Sequence, residues 1–120
     1  MRLIGNLIWI IFGGLLGAIG WLISALLLIV TVIGIPFGLQ CVKIALLTLW
    51  PFGHEAVIGE FGAVSLTANI IWILLFGWEL FIYHAFLALI FSITLLGIPF
   101  GKQHLKLAML ALVPFGSRVL

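Results

Sequence analysis

Charge is what this chain has least of. Five of its 120 residues are Lys or Arg and three are acids, so 7% are charged, against about 25% in soluble domains. No charge occurs between Arg2 and Lys43, and only Glu79 interrupts the stretch from Phe61 to Gly101. A water-soluble surface cannot be made from such material. Cysteine is nearly as scarce: Cys41 stands alone, which excludes an intrachain disulfide, and it reads as a plain helix residue. His54, His84 and His104 show no metal-ligand spacing, and no carboxylate cluster accompanies them. No phosphate loop, Ser/His/Asp arrangement or basic patch is present. The expectation is no enzymatic activity, no metal, no cofactor and no nucleic-acid partner.

What is there is apolar and duplicated. Hydrophobic residues make up 66% and the mean hydropathy is +1.49. The stretch Thr31–Gly53, TVIGIPFGLQCVKIALLTLWPFG, returns 63 residues later as Thr94–Gly116, TLLGIPFGKQHLKLAMLALVPFG, without a gap and with 14 of 23 positions identical. Upstream, Asn6 meets Asn69, Trp9 meets Trp72 and Gly14 meets Gly77. The chain is one membrane domain, 1–120, with repeat 1 over 6–53, repeat 2 over 69–116 and a connector over 54–68. A fixed internal period means the fold is read as two related units.

Each copy opens on a long apolar run. Leu7–Ile35 as one helix would be about 45 Å long, whereas a hydrocarbon core needs about 20 residues, so tilt or a bend must absorb the excess. Gly13-Gly14 is the natural bend, with Gly77 at the matching place. The run is too long for a signal peptide's apolar region, so it reads as an uncleaved span. Asn69–Ile98 is the second span. Gly13, Gly17, Gly20 and Ser24 form a stripe of small residues on one helical face, and their counterparts Phe76, Leu80, Tyr83 and Leu87 are bulky. The spans are expected to pack bulky ridge into small groove, on each other or on a neighbouring subunit.

The motif Gly34-Ile35-Pro36-Phe37-Gly38, repeated as Gly97-Ile98-Pro99-Phe100-Gly101, predicts a helix break in each copy. A short amphipathic or re-entrant helix follows, Leu39–Trp50 and Lys102–Val113, stopped by PFG. Gln40 and Lys43 share a face, and Gln103 and Lys106 stand at the same places. These polar residues contact lipid headgroups or line a path. The architecture is thus an all-α membrane protein with two long kinked transmembrane helices.

If each copy crosses once, Arg2, Lys102, Lys106 and Arg118 fall on one side and Lys43, Glu55 and Glu60 on the other. The positive-inside rule then places both termini in the cytoplasm, with the copies running in opposite directions. Glu79 is the sharpest single feature and a candidate pathway residue, since an acid at bilayer depth marks an ion pathway or a partner, unless the kink at Gly77 sets it at an interface beside Trp72 and Trp78. Tyr83 can share its face, whereas His84 points away and reads as a packing residue.

The pattern [TV]-x-x-GIPFG-x-x-x-x-K-x-x-x-x-x-x-x-PFG, with Asn6, Trp9, Asn69, Trp72, the Phe76–Leu80 stretch FGWEL and PFGHE at Pro51–Glu55, resembles the YccF family of small bacterial inner-membrane proteins. The resemblance covers nearly the whole chain, with a shorter connector and tail than in some relatives. It implies location and architecture, a multi-pass protein of the bacterial inner membrane, and no particular activity. Two functions are open on the residues: a homo-oligomeric assembly with a channel or transport role for ions or small solutes, or an accessory subunit binding a larger membrane partner. Membrane lipids are partners in either.

Overall fold

Each repeat folds as an antiparallel pair of helices hung on one end of a long bent span. The computed structural model describes residues 2–59 and 62–119; Glu60 lies outside the described residues. The order is α1 (Arg2–Trp9), a wide turn (Ile10–Gly14), α2 (Leu15–Val30), α3 (Ile35–Leu49), β1 (Ala56–Val57), α4 (Ala63–Trp72), a second wide turn (Ile73–Gly77), α5 (Trp78–Ser92), α6 (Ile98–Leu112) and β2 (Arg118–Val119). The first span, Leu3–Val30, and the second, Ala63–Ser92, are each long and apolar enough to cross a membrane. Both begin and end about one and a half turns earlier than the composition suggests.

The upstream shift follows from where each chain reversal sits. The turn lies at Thr31–Gly34, ahead of the GIPFG residues. The Thr31 hydroxyl donates to Leu28 O at 2.6 Å and accepts from Gly34 N–H at 3.0 Å, closing the helix end. Thr94 repeats this with Phe91 O and Gly97 N–H. Pro36 and Pro99 then occupy the first turn of α3 and α6, where an N–H has no intrahelical partner to lose. The break expected over Gly34, Pro36, Phe37 and Gly38, and over Gly97, Pro99, Phe100 and Gly101, is therefore corrected. Gly34 and Gly97 cap the next helix, and the residues after them are helical.

Gly38 and Gly101 serve a second purpose. A Cβ on Gly38 would stand 2.8 Å from Ala25 O, and one on Gly101 would stand 2.9 Å from Ala88 O. The small pairs Ala25/Gly38 and Ala88/Gly101 let the helices of each hairpin approach closely, the packing available to helices in lipid. The short helices thus run back along α2 and α5.

At Ile10–Gly14 the helical ladder widens: Leu15 N–H bonds to Ile10 O, and Phe12 and Gly13 leave helical geometry, Gly13 at φ 133°. At Ile73–Gly77 the same i to i+5 bond, Trp78 N–H to Ile73 O, recurs without a positive φ. The indole of Trp9 lies across Gly14 and that of Trp72 across Gly77, where any Cβ would collide with the ring. Each indole N–H thereby reaches the neighbouring hairpin helix, Trp9 to Thr48 O and Trp72 to Ala111 O at 2.7 Å. Asn6 exchanges two hydrogen bonds with the Phe52 backbone, at 3.1 and 3.0 Å, and Asn69 does the same with Phe115 at 2.9 and 3.0 Å. Asparagine, tryptophan and glycine at fixed spacing thus clamp the PFG stop of their own repeat.

The spans meet antiparallel through the small stripe. A Cβ on Gly13 would stand 3.0 Å from Leu87, one on Gly17 3.2 Å from Tyr83, and one on Gly20 3.1 Å from Leu80. Contacts that descend one helix while climbing the other relate the repeats by a pseudo-two-fold axis through their middle. The hairpin tips Thr31–Gly34 and Ile93–Gly97 consequently point to opposite ends of a molecule 42 Å long.

Candidate functional site

Polar side chains gather on the face made by α3, α6, the connector and the tail. Phe52 leaves α3 and lies on Phe100 at the start of α6, with ring centroids 5.4 Å apart. Phe115 leaves α6 and lies on Phe37 at the start of α3, at 4.9 Å. From these two anchors, one near each hairpin tip, the connector and tail run toward one another. They pair antiparallel, Ala56 with Val119 and Val57 with Arg118. The ribbon therefore sits midway between the tips.

Those tips are strongly apolar, Ile33 86% and Leu96 88% exposed. Around the ribbon stand Lys43, His54, Glu55, Lys106 and Arg118. The Lys106 ammonium donates to His54 O at 3.3 Å. Burial holds it below the ordinary lysine range, and the Glu55 carboxylate pulls the other way. The sorting of charges onto two sides is thus corrected: Lys106 and Arg118 share a face with the connector rather than facing away from it. Lys106 and Arg118 therefore drop out of the four-to-one count from which cytoplasmic termini were expected.

The two repeats use this face differently. Gln40 Nε2 donates to Pro114 O at 2.9 Å and to Ser117 O at 2.7 Å. Its counterpart Gln103 leaves Oε1 buried without a partner among the described residues. Ser117 occupies the place of His54 in the second copy, so Gln40 takes the carbonyl that matches the one held by Lys106. Lys43, the counterpart of Lys106, is exposed and lines a cavity of about 200 Å³ with Leu46, Leu47 and His54.

A second cluster lies in the core, where the repeats diverge: His84 replaces Trp21 and His104 replaces Cys41. Trp21 Nε1–H donates to His84 Nε2 at 3.3 Å, and His84 Nδ1 lies 3.1 Å from His104 Nδ1. An indole can only donate, so neutral His84 accepts at Nε2 and carries its proton on Nδ1. That proton goes to His104 Nδ1, which leaves the His104 proton on Nε2, buried and without an acceptor among the described residues. The ring is packed between Trp9, at 4.1 Å, and Phe91, at 5.6 Å. The cluster is invisible to spacing rules because its members lie 20 and 63 residues apart. The signal was the pair of departures from repeat identity, at Trp21/His84 and Cys41/His104.

Glu79 stands apart from both clusters. It is exposed and lines a crevice of about 400 Å³ between the spans, with Gly17, Gly20, Ser24, Leu80 and Tyr83 among the other walls. Tyr83 faces the same crevice but sends its hydroxyl to Gly13 O, at 2.7 Å. Of the sequence-chosen polar residues, the fold gathers Gln40, Lys43 and Lys106 about the ribbon, pairs His84 with His104, and leaves Glu79 and Tyr83 between the spans. Among the described residues no group of three or more metal-ligating side chains occurs.

The duplication itself has a counterpart in a known family. The model of the Inner membrane component domain, YccF, matches twice, at residues 4–54 and 67–117. The chain belongs to the YccF family. Both ends of the two matches lie 63 residues apart, the same period as the clamp. Inner membrane protein YccF of Escherichia coli strain K12 is 33% identical over 129 residues, covering 99% of this chain and 87% of the relative. The protein of that name from Shigella flexneri aligns equally well. No solved structure matches. With two apolar helices of spanning length, membership of YccF supports a place in the inner membrane. Such a protein contacts lipid.

Proposed function

We propose that the protein forms a homo-oligomer whose α3–α6 faces and ribbons line a water-filled path for ions or small solutes across the inner membrane. One observation carries this reading. A β ribbon with charged neighbours sits halfway between two apolar tips, on one side of helices that otherwise expose aliphatic groups. Backbone and charged groups facing hydrocarbon cost several kcal/mol each unless water or protein meets them. Two spans cannot enclose such a path, so copies must bring their polar faces together. In this reading α3 and α6 act as re-entrant helices beside the spans, and no bond-making step is involved.

The test is the mass of the full chain in nanodiscs, with solute flux into proteoliposomes. A closed oligomer with flux supports the path, and Glu79→Gln is expected to leave that flux unchanged, because Glu79 lies in the crevice between the spans. A monomer without flux that co-purifies with another membrane protein would instead establish the accessory role.

A further inference from the structure

The path has a sign, and the asymmetry between the repeats gives it. We infer that the cavity beside Lys43 and His54 is a site for a small inorganic anion and makes the path anion-selective; this rests on the oligomeric path proposed above. The second repeat satisfies its lysine internally. Lys106 donates to His54 O, and the Glu55 carboxylate acts on it. The first repeat does the reverse. The carbonyl at the matching place, Ser117 O, accepts from Gln40 at 2.7 Å, and Lys43 is left exposed over an open cavity of about 200 Å³. The floor of that cavity, Leu46 and Leu47, is apolar, and its other polar wall is His54.

An ammonium with three donors beside an imidazole, over an apolar floor, offers hydrogen-bond donors and positive charge to a partly dehydrated anion. The wider face has the same sign. Among the described residues Lys43, Lys106 and Arg118 stand there against Glu55, an excess of cations. Repeated around an oligomer, such an excess makes a ring of basic side chains, the arrangement that selects anions in pores.

The experiment is the reversal potential of the full-length protein in planar bilayers under a potassium chloride gradient, with Lys43→Gln and Lys43→Glu as variants and Lys106→Gln as control. Lys43 is exposed, so its substitutions leave the core packing alone. Wild type is expected to favour chloride over potassium by about tenfold, read from the sign and size of the reversal potential. Lys43→Gln should lower that preference by at least about threefold, Lys43→Glu should invert it, and Lys106→Gln should change it less than Lys43→Gln does. A conductance that favours potassium, or one indifferent to Lys43, overturns the anion site and leaves the path standing. An assembled oligomer with no conductance overturns the path and the anion site together.

Discussion

His84 is held at both ring nitrogens, and His104 at only one. Replacing His84 by Phe strands the Trp21 N–H and removes the proton donated to His104, so two buried groups lose partners. Replacing His104 by Phe removes an N–H that already lacks an acceptor and strands only the His84 proton. An unmet buried polar group costs about 1–3 kcal/mol. His84→Phe is therefore expected to lower stability by about 2–4 kcal/mol, and His104→Phe by about half as much. Thermal unfolding in detergent checks the order; equal losses would contradict the tautomer chain. The asparagines make the same kind of claim in the clamp. Asn69→Ala removes two hydrogen bonds to the Phe115 backbone and should cost about 2–3 kcal/mol. Asn6→Ala should cost a similar amount, read by the same melts.

Elements in this protein are delimited by turn chemistry more than by hydropathy. The reversal at Thr31–Gly34 contains a left-handed residue, Val32 at φ 67°, which its counterpart at Thr94–Gly97 lacks. A β-branched side chain is strained there, by about 1–2 kcal/mol. Val32→Gly should relieve that strain while widening the unfolded ensemble, for a net gain of about 0.5–1 kcal/mol in a urea or thermal melt. The wide turns are the opposite case, because Gly77 must stay small. Its absent Cβ gives room to the Trp72 ring and to Ala111 O, so Gly77→Ala should loosen α6 from the second span. Hydrogen exchange at Leu107–Ala111 would report the loosening, and unchanged protection there would refute it.

At the scale of the molecule the repeats become an inverted pair with contents that differ. The antiparallel crossing is testable with the full chain in membranes. Cysteines replacing Gly20 and Leu80 should cross-link within one chain, since a Cβ at Gly20 stands 3.1 Å from Leu80 Cδ2. A cysteine at Gly20 with one at Ser92 should not. Cross-linking of the second pair but not the first would reverse the relative direction of the spans. The divergence between copies reaches the core where they meet: Trp21 against His84, and Cys41 against His104. Two identical hairpins would place identical groups face to face there, whereas unlike ones can donate and accept.

Much of this was legible in the chain itself. Scarce charge and two long apolar runs determined the solvent, because few residues can meet water. The 63-residue period determined that two related units exist, and the small stripe opposite bulky counterparts announced which span faces could approach. The reversal points were misjudged because proline was read as a helix stop, whereas in the first helical turn it has no hydrogen bond to lose. Only the tertiary structure decided which polar groups meet. Gln40 with Ser117 O, Lys106 with His54 O and His84 with His104 join residues 77, 52 and 20 positions apart. No local pattern encodes such pairs, because they arise when two hairpins related by a pseudo-two-fold axis lay their loops across one another. The charges that sequence counting sorted to opposite sides of a membrane were thereby brought to one face, midway along the spans.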